Sequence, residues 1–147
     1  MKLRVKIKKL SENAIIPQYQ TNGAAGFDFH AIEDMEIDPR KTVLVKTGLS
    51  MEIPEGYELQ VRPRSGMSLK TKMRVANSPG TIDSDYRGEI CIIMENIGLL
   101  GSLPFQIKKG DRIAQGVLCP VYQAVFIEDE LNETERGEGG FGSTNNK

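Results

Sequence analysis

The chain holds a single histidine, His30, and two cysteines, Cys91 and Cys119, in 147 residues. One histidine excludes His-based triads and multi-His zinc sites, so His30 is read as structural. Both cysteines lie in apolar runs without metal-ligand spacing, which leaves buried free thiols in a reducing compartment. Charge of one sign is also lacking. With 19 basic against 20 acidic residues, no global field draws the chain to nucleic acid or lipid. No apolar run approaches the ~20 residues of a membrane helix, and nothing resembles a signal peptide. These absences predict a cytoplasmic protein with neither nucleic acid nor membrane as partner.

What is present is period two. The length suits one domain with a core of its own. Lys2 to Lys8 sets Leu3, Val5 and Ile7 against cations, the pattern of a half-buried strand. Tyr57, Leu59 and Val61 alternate with Glu58, Gln60 and Arg62. Thr42 to Leu49, Ile90 to Met94 and Ile113 to Val125 read as further strands. Gly and Pro interrupt at short intervals, as in Pro54-Glu55-Gly56 and Pro79-Gly80. Short strands between frequent turns predict an all-β sandwich, jelly roll or barrel. One short helix is expected, over Ser65 to Lys70. The body is expected to span 1–127, with a flexible acidic and glycine-rich tail over 128–147.

Several stretches suggest chemistry. Gly137 to Gly142 spells G-x-G-x-x-G, but too little chain follows for a dinucleotide fold. Its other reading is a mobile cover for a nucleotide. Arg136 forks onto phosphate, the glycine amides approach an anion, and Phe141 stacks on a base. In Pro63-Arg64-Ser65-Gly66, Arg64 offers a donor fork, Ser65 a hydroxyl and Gly66 an open amide. Ser65 is equally an N-cap candidate.

The stretch Asn77 to Cys91 reads as a β-hairpin centred on Ser84, with Gly80 opposite Gly88 and Asn77 opposite Cys91. Two facing glycines would leave a gap for a planar base to meet main-chain groups. Asn77 supplies a donor and an acceptor for a pyrimidine edge, Tyr86 a ring to pack under a sugar, and Asp83 a base for water. An ordinary hairpin with Asx-type turn residues is the plainer alternative. Asp28 lies between Phe27 and Phe29, and Gly110 to Gln115 reads as a turn entering a strand.

Taken in order, five stretches resemble the trimeric dUTPase family. They are Ala25-Gly26-Phe27-Asp28-Phe29, Pro63 to Gly66, Asn77 to Glu89, Gly110-Asp111-Arg112-Ile113-Ala114-Gln115, and Arg136 to Thr144. Each is weak or moderate singly, and together they cover nearly the whole chain. The resemblance implies a distorted jelly-roll subunit in a homotrimer, with each site shared by three chains. It implies Mg²⁺-assisted hydrolysis of dUTP to dUMP and pyrophosphate, which keeps uracil out of DNA and supplies dUMP for thymidylate synthesis. By resemblance, Asp83 orients the attacking water and Tyr86 presses on the deoxyribose. Asn77, Gly80, Thr81, Ile82 and Cys91 read uracil. Arg64, Ser65, Gly66 and Gln115 hold phosphates, and Asp28 reaches Mg²⁺ through water. Arg136 clamps the distal phosphate, Phe141 covers uracil, and Gly142 and Ser143 donate to phosphates.

Two departures stand out: Asn145 follows Thr144 where the family continues with Gly, and His30 and Phe29 replace commoner residues near Asp28. Rival readings are a dCTP deaminase, which ammonia release would reveal, and a non-catalytic β trimer, which would release no pyrophosphate.

Overall fold

The structure, a computed structural model, describes residues 2–142. The described residues form eleven strands and one helix. In chain order the elements are β1 (Lys6–Lys9), β2 (Phe27–His30), β3 (Met35–Ile37), β4 (Thr42–Lys46), β5 (Leu49–Glu52) and β6 (Tyr57–Arg62). They continue with α1 (Ser65–Lys70), β7 (Met73–Val75), β8 (Gly80–Ile82), β9 (Cys91–Asn96), β10 (Phe105–Ile107) and β11 (Arg112–Pro120). All pairings are antiparallel, in sheets ordered β2-β11-β6-β8, β4-β9-β7, β1-β5 and β10-β3. This is the expected all-β, distorted jelly-roll arrangement. Among the described residues no helix is long and apolar enough to cross a membrane.

Alternation decides which side chains meet in the middle. Phe27 and Phe29 of β2, Leu59 and Val61 of β6, and Ile92 and Met94 of β9 point inward. Their neighbours Asp28, Gln60 and Ile93 face the other way and stay half-exposed. On β11 a register shift falls between Arg112 and Ala114. It buries the consecutive residues Ile113 and Ala114 and turns both Arg112 and Gln115 outward. Such a bulge re-aims side chains beside a site without breaking the sheet.

Five expectations need correction. The N-terminal strand begins at Lys6, and Leu3 is exposed. The last strand ends at Pro120 rather than Val125. Beyond it Tyr122, Val125, Phe126 and Ile127 have no cover within the chain, so apolar composition there does not mean a packed strand. Cys91 and Cys119 are free but only half-buried, because both lie on outward positions of their strands. Ser65 is not the N-cap. Arg64 occupies that position without a side-chain cap hydrogen bond, and Ser65 opens the helix.

The hairpin from Asn77 to Cys91 is the largest correction. Its base forms one residue out of the expected register, with Val75 opposite Met94, and Ala76 N–H donating to Ile93 O at 2.9 Å. There the two arms part. β8 leaves to pair with β6, so that Gly80 faces Val61 and not Gly88. The returning arm is bound instead by the β4–β5 bend. Thr47 Oγ1 donates to Ile90 O at 2.6 Å, Gly48 N–H to a Glu89 carboxylate oxygen at 2.8 Å, and Ser50 Oγ to Arg87 O at 2.7 Å. These non-local partners take the hydrogen bonds that the two arms of a long hairpin would have given each other.

Candidate active site

Two groups of the expected residues come together beside β6, one where it runs into α1 and one along β8 and the turn beyond it. The first gathers where β6 runs into α1. Arg64 Nε donates to Asp28 Oδ1 at 2.8 Å, and its Nη1 to the Arg112 carbonyl at 3.1 Å. Arg112 Nη1 approaches the other Asp28 oxygen at 3.4 Å. Asp28 therefore carries two guanidinium groups, and the Arg64 fork is held in place at its inner edge. Gln115 faces Asp28 on one side and Arg62 on the other in the ladder. Its Nε2 donates to Pro63 O at 2.9 Å. Gly26 makes room for it, since a Cβ there would stand 2.6 Å from Gln115 Oε1.

An open hollow of ≈ 550 Å³ adjoins these groups, lined by Arg62, Pro63, Ser65, Ser78 and Gln115 among others. The first amides of α1 have no partner within their own helix, as in any first turn. Donor forks, an amide side chain and free N–H groups on one rim make an anion-binding surface. His30, on the same strand as Asp28, has its Nδ1 buried without a hydrogen-bond partner. Burial, opposed by Asp28 and reinforced by Arg112 and Arg64, holds its pKa below the usual histidine value.

The second group lies along β8 and the turn beyond it. The Asn77 amide sits against buried Gly80, where a Cβ would come within 3.2 Å of Asn77 Nδ2 and 3.3 Å of the Val61 Cβ. No open gap lies at Gly80: the residue across from it is Val61, and Val61 and the Asn77 amide fill the space that its missing side chain leaves. Thr81 is exposed and Ile82 and Cys91 half-exposed. The Tyr86 ring folds over Gly88, whose missing Cβ is what admits it, and the phenol donates to Glu89 O at 2.9 Å. Asp83 opens into a separate cleft of ≈ 840 Å³, whose lining includes Glu52, Glu55, Asp85 and Arg87.

The two groups meet only in part: Ser78 and Pro79 share the hollow with Ser65 and Gln115, and Gly80 pairs with Val61 near the Arg64 end, whereas Asp83 lies toward the other end of β6. Ile82 pairs with Leu59, so Asp83 stands beside the start of β6, while Arg64 lies past its far end. At about 3.3 Å per residue, the six steps from the level of Asp83 to Arg64 span at most about 20 Å. The tail residues also stand apart. Arg136 Nε donates to its own Gly139 O at 2.7 Å, Phe141 is fully exposed, and Gly142 takes a positive φ of 90°. Ser143 lies outside the described residues.

Sequence reasoning missed Arg112 and Glu89. Arg112 was visible in Gly110 to Gln115, but strict alternation places it away from Gln115. Only the bulge puts both on one face.

The chain resembles known proteins along nearly its whole length. A family model described as dUTPase matches residues 12–145. A deoxyuridine 5'-triphosphate nucleotidohydrolase of Nautilia profundicola is 56% identical over 143 residues, covering 97% of this chain and 99% of the relative. A Staphylococcus bacteriophage 80alpha dUTPase mutant, solved with dUpNHpp, superposes with a TM-score of 0.84 at 28% identity, covering 97% of this chain and 99% of that one. A mutant dUTPase of the S. aureus phage phi11, described for its coordination of a structural Mg(II) ion, gives 0.81 at 27% identity, covering 90% and 100%.

Proposed function

This chain belongs to the dUTPase family and is a dUTP diphosphatase, and on that premise we propose that it works as a homotrimer whose copies share each site. The observation that carries the proposal is that Asp83 lies toward the start of β6 and Arg64 past its end, up to about 20 Å apart along the chain. A phosphate held by Arg64 is out of reach of the Asp83 carboxylate of the same chain. A second copy brings its Asp83 end against the first copy's Arg64 end. The exposed apolar arm from Val121 to Ile127 supplies surface for that association.

In the assembled site, uracil lies along β8. Main-chain groups of Gly80, Thr81, Ile82 and Cys91, with the Asn77 amide, read its edge. Cytosine offers an amine where uracil offers a carbonyl, so a fixed donor rejects it. Tyr86 leans on the deoxyribose. A ribose 2′-hydroxyl would lie against the ring without a partner, at a cost of about 1–3 kcal/mol.

On the neighbouring copy, Arg64, Ser65, Gly66 and Gln115 hold the phosphates. Arg64 keeps its inner edge on Asp28 and Arg112 and offers the rest of its fork outward. Asp83 holds a water in line with the innermost phosphorus and takes its proton as the bond to the β-phosphate oxygen breaks. A carboxylate is a weak base in water, and its value here lies in position and in the charge drawn off the phosphates. The tail from Glu128 onward brings Arg136 to the distal phosphate and Phe141 over the base. The same reading places the chain in the cytoplasm, with the nucleotide pool.

Among the described residues no three carboxylate, histidine or cysteine side chains gather into a metal cluster. Asp28, shared by two guanidiniums, cannot enclose a cation. It suits a Mg²⁺ that the substrate's phosphates carry and that it touches through water, which is how Mg²⁺ commonly binds. Bound there, the ion would neutralise charge on the phosphate oxygens.

Incubation with each deoxynucleoside triphosphate and Mg²⁺ tests the reaction: dUTP alone should yield a monophosphate and pyrophosphate. Asp83→Asn should abolish that turnover and leave binding of a non-hydrolysable dUTP analogue within about tenfold, since the neutral amide keeps its shape but accepts no proton. Turnover near wild type would remove Asp83 from this role.

A further inference from the structure

Away from the site, the loop between β9 and β10 presents leucines to solvent. Its base is built firmly. Buried Asn96 donates through Nδ2 to Ile37 O and accepts from Gly98 N–H, both at 2.9 Å, and Ile97 N–H donates to Lys72 O at 2.9 Å. On this base Leu99 and Leu103, 73% and 90% exposed, stand beside Leu69 of α1 at 85%. Together with Phe105, Lys70 and Lys72 they line a groove of ≈ 560 Å³ that has no carboxylate in its wall. Ordered, contiguous leucines beside lysines, at the far end of the helix that Arg64 caps, suggest a surface that receives something acidic and apolar.

The chain carries one such segment. Glu128, Asp129, Glu130, Glu133 and Glu135 surround Leu131, itself 94% exposed. We infer that this groove seats residues 128–135 of a second copy, with Leu131 between Leu69, Leu99 and Leu103 and the carboxylates beside Lys70 and Lys72. The inference rests on the reading that one copy's tail closes over another copy's site. Seating the segment near α1 would deliver Arg136 and Phe141 to the Arg64 end of that copy. Leu131 lies eleven residues past the last strand residue, Pro120, a stretch that spans up to about 36 Å when extended. That is enough to cross to a neighbour.

The test is a disulfide between copies. Full-length protein carrying Leu103→Cys and Leu131→Cys is oxidised mildly and run on a denaturing, non-reducing gel. Linked dimers and trimers, absent from either single variant, are expected. Chains that stay unlinked, or that close the bridge within themselves, would overturn the inference. Independently, Lys70→Glu with Lys72→Glu should raise the KM for dUTP by about fivefold. Adding Glu130→Lys and Glu133→Lys should restore it, and effects that simply add would overturn the pairing. The bridge forms without substrate, so its absence counts against this docking alone. Unchanged turnover after loss of 136–147 would count against the closing tail itself.

Discussion

Cys91 shows how position on a strand becomes reactivity. It faces outward on β9 opposite Lys46, half-covered, with Glu89 nearby. Burial, then the Glu89 carboxylate, push its thiol above the usual range, and Lys46 opposes them only in part. The thiolate is the reactive form. Below the raised value each pH unit gained multiplies its fraction about tenfold, so alkylation should keep rising beyond the pH where free cysteine levels off. Mass spectrometry of Cys91 modification against pH checks this. A plateau at or below that of free cysteine would contradict it. If uracil lies along β8, a bound dUTP analogue should slow the modification further.

At the scale of elements, β11 ties Arg112 and Gln115 to the core. It crosses β2 at Gly116, where any side chain would collide with two aromatic rings. A Cβ would fall 2.6 Å from Phe27 Cε2 and 2.8 Å from Phe29 Cε2. Gly116→Ala should therefore destabilise the fold by about 1–3 kcal/mol, the usual cost of overpacking. An unchanged denaturation midpoint would show that the rings have room to move. The strand around it was partly legible. Ile113 to Cys119 announces a strand by composition, and α1 runs over the very residues, Ser65 to Lys70, expected of it. Both features are local: turn residues, side-chain period and length suffice to find them. The course of Asn77 to Cys91 was not legible, because β8 chooses β6 and the return chooses Thr47 to Ser50. Nothing within the stretch encodes those partners. Arg112 escaped notice for a related reason, since the bulge that re-aims it depends on packing against β2. That Asp83 lies toward the other end of β6 from Arg64 was not readable either.

For the whole molecule, the division predicts complementation. Chains carrying Arg64→Ala and chains carrying Asp83→Asn should each be nearly inactive. Unfolded and refolded together in equal amounts, they should recover about a quarter of wild-type turnover, the share of sites that draw both intact groups from random mixing. No recovery in verified mixed oligomers would mean that each chain holds a complete site. Deleting 136–147 should leave oligomer size and thermal stability unchanged while lowering turnover severely, because the described part of that segment packs against no core. Full activity in the shortened chain would reduce the tail to a linker. The length of β6 has a last consequence. If each site is shared between copies, a newly made, solitary copy should hydrolyse nothing, and total output should climb more steeply than gene dosage. Dilution alone should silence the enzyme, with no inhibitor required.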